Sequence, residues 1–199
     1  MNTSNVVLMK MARESLKGKW GLAVGTFFLF FLILFAVEMI PDAGPILSLL
    51  ISGPFALGIS IFSLAISRNE NARLEQIFQG FNRFGVALGA YLLMLLFVLL
   101  WMILLIIPGI VAAISYAMTF YILADDDSIG PMEAIDLSKK MMYGYKWKYF
   151  YLMLRFFGLA ILCVLTLGIG FLWFMPYVQI TAAKFYDDIK ENVLEDEMV

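Results

Sequence analysis

The sequence predicts an all-α, polytopic membrane protein with about six transmembrane helices, arranged as three in–out–in hairpins in a single integral membrane domain, residues 1–199. Three observations predict it: an unusually apolar composition, hydrophobic blocks of span length, and basic residues confined to alternate connections. Hydrophobic residues make up 62% of the 199-residue chain and charged residues only 15%, with a mean hydropathy of +0.88. Soluble domains are roughly 45–50% apolar and about 25% charged. A domain of this size cannot hide so large an apolar excess in its interior, so lipid is expected to solvate most of the chain.

Helices that cross about 30 Å of hydrocarbon need roughly 20 mostly apolar residues. The chain opens on "MNTSNVVLMKMARESLKGKW", which lacks the continuous apolar region of a signal peptide and reads as an amphipathic helix. Span 1 covers residues 20–40 and span 2 residues 45–67, joined by "PDAGP", a turn of two prolines and a glycine. The polar stretch "RNENARLEQIFQGFNR" separates this hairpin from the apolar block 84–124, which is too long for one span. Its expected reversal is Pro108-Gly109, because proline disfavours helix in the residue before it and glycine permits a tight turn. After "DDDSIGPMEAIDLSKKMMYGYK", the last block covers residues 147–186 and is expected to turn at "LGIG", residues 167–170. The second and third pairs are short, which leaves room for kinked or re-entrant helices.

The basic residues test this order independently. Lys10, Arg13, Lys17 and Lys19 precede span 1, and Arg68, Arg73 and Arg83 lie between spans 2 and 3. Lys139, Lys140, Lys146 and Lys148 lie between spans 4 and 5, while Lys184 and Lys190 end or follow span 6. Arg155 alone stands inside a span, and the turns at 41–45, 108–109 and 167–170 hold no basic residue. By the positive-inside rule, both termini and both long connections are expected in the cytoplasm.

An internal repeat fits the same order. "KWGLAVG" at 19–25 and "RFGVALG" at 83–89 match class for class, and "KW" returns at 146–147. Pseudo-repeats of about 1–68, 69–125 and 126–187 follow, each an amphipathic helix and a hairpin in the same orientation, with an acidic tail at 187–199. In "ARLEQIFQGF", Leu74, Ile77, Phe78 and Phe81 form an apolar stripe opposite polar residues. "GPMEAIDLSKKMM" has Pro131 at a plausible first helical position, Glu133 in its first turn and lysines near its end. These amphipathic segments suit either the inner membrane surface, where basic groups meet anionic lipid heads, or a small cytoplasmic cap.

The stretch "GYKWKYFYLMLRFFG" needs separate treatment, since Tyr143, Tyr145, Trp147, Tyr149 and Tyr151 alternate as in a β-strand. An unpaired strand entering lipid would leave its backbone groups unsatisfied, so a helix is expected. Residues 143, 147 and 151 then form one stripe and 145 and 149 another, an aromatic belt in which Lys146 and Lys148 face anionic head groups.

Few residues carry candidate chemistry. The chain has no histidine, and its one cysteine, Cys163, lies in an apolar run, which excludes His-based catalysis, His/Cys metal sites and an intramolecular disulfide. No phosphate-binding glycine loop, nucleophile elbow or catalytic triad is present, and the basic-aromatic stretch marks a membrane boundary rather than a nucleic-acid surface. Gly21/Gly25 and Gly85/Gly89 are GxxxG pairs, expected to pack helices within the monomer or across a homo-oligomer. Arg155 costs roughly 2.5–3.5 kcal/mol at a bilayer centre. It can snorkel to the inner interface, or form a polar pocket with Gln179 and Thr181 that holds a phosphate or carboxylate head group. Asp125–Asp127 and Asp187–Asp188 are expected as solvated span ends, with a Mg²⁺ or Ca²⁺ site as the alternative. Glu38 falls near the outer end of span 1, and Pro54 and Pro176 are expected to kink returning spans.

The segments "ARESLKGKWGLAV", "LLIIPGIVAAISYAMTFYILADD", "EAIDLSKKMMYGYKW" and "LTLGIGFLWFMPYVQITAAKFYDD" resemble, almost end to end, a family of small bacterial integral membrane proteins classified as a domain of unknown function. More distantly, the PG turn and the Lys-Lys/Lys-Trp segment look like the membrane region of some glycerophosphodiester phosphodiesterases, whose catalytic domain has no counterpart here. The resemblance implies a multi-pass protein of the bacterial cytoplasmic membrane and transfers no catalytic residue. The expected role is a non-enzymatic, lipid-interacting scaffold or partner subunit without cofactor. The alternative is a small transporter or lipid-translocating protein with a polar path near Arg155 and Gln179.

Overall fold

The computed structural model of the chain describes the backbone of residues 3–197 and the side chains of residues 3–191. The last residues of the acidic tail, 198–199, lie outside the described residues, as do the side chains from 192 onward. The described residues are helical, with no strand among them: α1 (Asn5–Leu16), α2 (Trp20–Glu38), α3 (Gly44–Ser67), a 3₁₀ segment (Leu74–Arg83), α4 (Phe84–Leu104), α5 (Ile106–Ser115), α6 (Thr119–Asp125), α7 (Pro131–Met141), α8 (Lys146–Leu165) and α9 (Phe171–Glu197). Five segments are long and apolar enough to cross a membrane: Trp20–Glu38, Gly44–Ser67, Leu74–Leu104, Ile106–Asp125 and Lys146–Leu165. The sixth expected span falls in α9, where Lys184, Asp187 and Asp188 follow closely on the apolar stretch.

The motifs of the repeat open helices at equivalent positions. Trp20 is the first residue of α2 after Lys19, and Phe84 is the first of α4 after Arg83. Gly18 (φ +80°) and Gly144 (φ +84°) make left-handed turns before α2 and α8 that a side chain would strain. The turns at 41–43 and 166–170 fall where expected. The second does not fall at Pro108-Gly109. Leu105 alone is extended between α4 and α5, and Pro108 sits in the first turn of α5, where no intrahelical N–H bond is lost. Gly109 instead makes room for Met102, whose Cγ would lie 2.3 Å from a Cβ there.

The central strut is α3, which packs against α1, α2, the 3₁₀ segment, α4, α6 and α9. Its buried half alternates large residues (Phe55, Leu57, Phe62, Ile66) with small ones (Gly53, Gly58, Ser60, Ser63, Ala65). Small residues let helix backbones approach where lipid gives no drive to associate. A Cβ at Gly58 would lie 1.9 Å from the Ile77 carbonyl oxygen, and one at Gly80 1.9 Å from that of Pro54. The amphipathic stretch around Ile77 is a 3₁₀ segment that lies backbone to backbone on α3 at Ile77 and Gly80, leaves Phe78 exposed and leads into α4. The segment from Pro131 packs one face inward, with Ala134, Ile135 and Ser138 buried against α4 and the α5–α6 break and its polar face exposed. These two stretches cover apolar faces of neighbouring helices, which is why their stripes exist. α1 does the same against α3 and α9, burying Leu8, Ala12 and Leu16.

Within the single chain, three of the four glycines in the GxxxG pairs make no close contact. A Cβ on Gly21, Gly25 or Gly85 would meet nothing within 4 Å, and only Gly89 has a neighbour, the Pro131 ring at 3.2 Å. Spacing of small residues marks a permissive face without saying what covers it.

The fourth expected span is broken at residues 116–118. There Ser138 of α7 repairs the backbone: its hydroxyl donates to the Ser115 carbonyl at 2.8 Å and accepts from the Met118 N–H at 3.2 Å. Large apolar side chains remain exposed on every hairpin, including Phe35, Ile103 and Leu167, a surface suited to lipid rather than water.

Candidate functional site

Charge is gathered at one end of the bundle, where α3 and α6 finish and where α2, α4 and α8 begin. Arg68 caps α3 and forks between two carboxylates, with Nη1 2.5 Å from Asp125 and Nη2 2.9 Å from Asp187. Lys190 and the Tyr186 hydroxyl, 3.1 Å away, satisfy the other oxygen of Asp125. The Ser67 hydroxyl donates to Asp187 at 3.0 Å, and Lys184 bonds the Ser67 carbonyl. Lys148 pairs with Asp188 at 2.6 Å. The guanidinium of Arg83 donates to the Leu123 carbonyl at 2.7 Å, to the Ile129 carbonyl at 2.9 Å and to Asp127 at 3.0 Å. Its bond to Asp125, then that to Asp187, raises the Arg68 pKa above its ordinary value despite the lowering by burial.

Asp125, Asp187 and Asp188 are thus bound rather than simply solvated. Among the described residues no group of three His, Cys, Asp or Glu side chains is placed to hold a metal ion. Arg68, Arg83 and Lys190 were not singled out as site residues by the sequence. The signal for them was present, since each charged end carries both signs, but the pairings join residues far apart in the chain.

The five residues singled out for lipid or anion contact take different places. Arg155 is exposed on the outer face of α8 and makes no ion pair among the described residues. Thr181 is fully buried, and its hydroxyl bonds the Tyr177 carbonyl of its own helix at 2.7 Å. Gln179 faces an interior cleft and accepts the Tyr121 hydroxyl at 2.8 Å. Arg155, Gln179 and Thr181 therefore do not form the expected pocket: α8 turns Arg155 away from α9. Lys148 also points inward, to Asp188 and over the Phe185 ring at 5.2 Å.

Lys146 is the one left beside an opening. A half-open groove of about 470 Å³ runs between α5 and α8, walled by Ile107, Ile110, Val111, Ile114, Trp147 and Phe150. Tyr143, Gly144 and Lys146 close its head, and Lys146 makes no ion pair among the described residues. The expected aromatic stripe borders it, with Tyr143 82%, Trp147 71% and Tyr151 56% exposed. Tyr145 and Tyr149 pack inward, the latter edge-on to Phe185 at 5.1 Å. An apolar trough headed by one cation and fringed by amphipathic rings has the layout of a lipid contact.

Apolar helices of span length, charge gathered at one end and a lipid-like outer surface define an all-helical protein with the makings of a multi-pass membrane protein. The chain belongs to the family described as "Protein of unknown function (DUF975)", which matches residues 1–118 and 102–193. No curated protein and no solved structure matches it, so the distant likeness to the membrane region of glycerophosphodiester phosphodiesterases has no support among relatives.

Proposed function

We propose that this protein is a non-enzymatic, lipid-interacting protein of the bacterial cytoplasmic membrane, a scaffold or partner subunit with both termini in the cytoplasm. The observation that carries it is the α5–α8 groove, in which Lys146 stands over an apolar trough. An acyl chain fits the trough, and the phosphate of an anionic phospholipid meets the ammonium. Arg155, exposed further along α8 and without an ion pair among the described residues, is a separate charge within snorkelling reach of the interface and lies outside the groove. The segregation of basic residues supports the orientation.

Mass spectrometry of lipids retained in mild detergent tests the reading. A basic residue near a membrane surface contributes about 1 kcal/mol, so Lys146→Gln is expected to lower phosphatidylglycerol retention roughly fivefold. Val111→Trp, which fills the trough, lowers it further. Unchanged retention in both variants overturns the reading.

A second reading, translocation of a lipid or small solute, draws on the cleft at Gln179. Arg155 is not part of that path, and the ion pairs of Arg68, Asp125 and Asp187 close the charged end. Transport then requires those pairs to open.

A further inference from the structure

We infer that the interior cleft at Gln179 is a binding site for the head of a neutral lipid that accepts hydrogen bonds, distinct from the groove at Lys146. The cleft holds about 390 Å³ between α2, α3, α4, α6, α8 and α9. Ligand sites are commonly about 300–1,000 Å³, mostly apolar, with a few convergent polar groups. Here Phe30, Tyr91, Phe120 and Tyr149 supply flat aromatic walls, and Gln179 and Tyr121 the polar focus.

The hydrogen-bond inventory narrows the complementary chemistry. The Tyr121 hydroxyl lies 2.8 Å from Gln179 Oε1 and 3.0 Å from the Gln179 carbonyl oxygen, which leaves the Gln179 amide N–H groups as donors. Neither they nor the hydroxyls of Tyr149 and Tyr91 have a partner among the described residues. The Ser52 and Ser60 hydroxyls donate back to the Ser48 and Ala56 carbonyls of α3, at 2.6 Å and 3.0 Å. The Gln179 amide and the Tyr91 and Tyr149 hydroxyls thus offer donors that an acceptor oxygen would satisfy, while Ser52, Ser60 and Tyr121 have already given their protons.

No charged side chain lines the cleft. An ion there would lose its water without gaining a counter-charge, so the acceptor belongs to a neutral molecule. Access points to a lipid. Leu34 and Ser52 also line a wider cleft of about 640 Å³ between α2 and α3, bordered by Phe28, Phe31, Leu32 and Phe35. Phe28, Leu32 and Phe35 are exposed on the outer face, so that cleft opens sideways to where lipid chains lie. At its far end Glu38 accepts the Ser48 hydroxyl at 2.8 Å, and its carboxylate disfavours an anionic head. A tail in the wide cleft with a carbonyl at Gln179 describes two lipid classes, isoprenoid-type quinones and diacylglycerols.

Native mass spectrometry of the whole protein in mild detergent tests this with a short-chain benzoquinone, dioctanoylglycerol and dioctanoyl phosphatidylglycerol as probes. At least one neutral probe is expected to bind saturably at one site, and the stronger of the two identifies the class. Equal phosphatidylglycerol should not displace it. Ala56→Phe, which fills the cleft, and Gln179→Leu, which removes the amide, are each expected to weaken that binding tenfold or more. Lys146→Gln should leave it unchanged, which separates this site from the groove. Tyr91→Phe leaves the Tyr121–Gln179 bond intact and serves if the other variants fail to fold; it is expected to weaken binding several-fold. Absence of saturable binding by both neutral probes, wild-type affinity in the variants that fold, or displacement by phosphatidylglycerol overturns the inference.

Discussion

Replacing Ser138 with alanine should unlock the break between α5 and α6. The serine is fully buried and makes two bonds to main chain, to the Ser115 carbonyl at 2.8 Å and from the Met118 N–H at 3.2 Å. A typical hydrogen bond contributes about 1 kcal/mol net, and a buried polar group left unpaired costs about 1–3 kcal/mol. Two stranded backbone groups, partly relieved by local adjustment, give an expected loss of about 2–4 kcal/mol. For a chain of this length that lowers the melting midpoint by roughly 4–16 °C. Thermal unfolding in a single detergent, followed by tryptophan fluorescence, reads the shift. Ser63→Ala is the matched control, because the buried Ser63 hydroxyl has no hydrogen-bond partner among the described residues; it should be neutral or slightly stabilising. Equal midpoints for Ser138→Ala and the unmodified protein would refute the claim that α7 is held in place to repair this break.

Other substitutions test separate parts of the structure. Gly58→Ala would set a Cβ 1.9 Å from the Ile77 oxygen, so it should separate the 3₁₀ segment from α3 and cost about 3 kcal/mol or more in the same melt. Gly25→Ala, which meets nothing within 4 Å, should cost less than about 0.5 kcal/mol; a large loss there would place a partner helix on α2. Arg68→Gln removes the shared cation of Asp125 and Asp187, and a loss of about 1–3 kcal/mol is expected, reduced by partial solvent exposure. Restoring stability by the further change Asp187→Asn would confirm the pairing; no coupling between the two changes would contradict it. Leu167 is 94% exposed and holds a left-handed φ of 54°, so Leu167→Gly should stabilise the last turn by up to about 1 kcal/mol.

Charge and hydropathy made the helical class legible because both are read residue by residue. The turns at 41–43 and 166–170 were legible for the same reason, since their proline and glycines act locally. Pro108 misled because it marks a helix start as readily as a helix end, and the reversal came three residues earlier at Leu105. The stripe of Leu74, Ile77, Phe78 and Phe81 announced an apolar face, and α3 buries Ile77 from it while Phe78 stays 40% exposed. Lys146 was visible as a boundary residue, while its freedom to meet a ligand depended on Lys148 being taken by Asp188. The Tyr121–Gln179 pair, 58 residues apart, left no local trace.

The clamp at Arg68 also carries information about time. Its two carboxylates lie 57 and 119 residues further along the chain. During synthesis Arg68 emerges first, is followed by Asp125 at the end of α6, and meets Asp187 only when α9 has been made that far. The three parts of the chain are thus tied together by a contact that the ribosome finishes late. A nascent chain stalled before residue 187 leaves Arg68 at the end of α3 with only one of its two carboxylates.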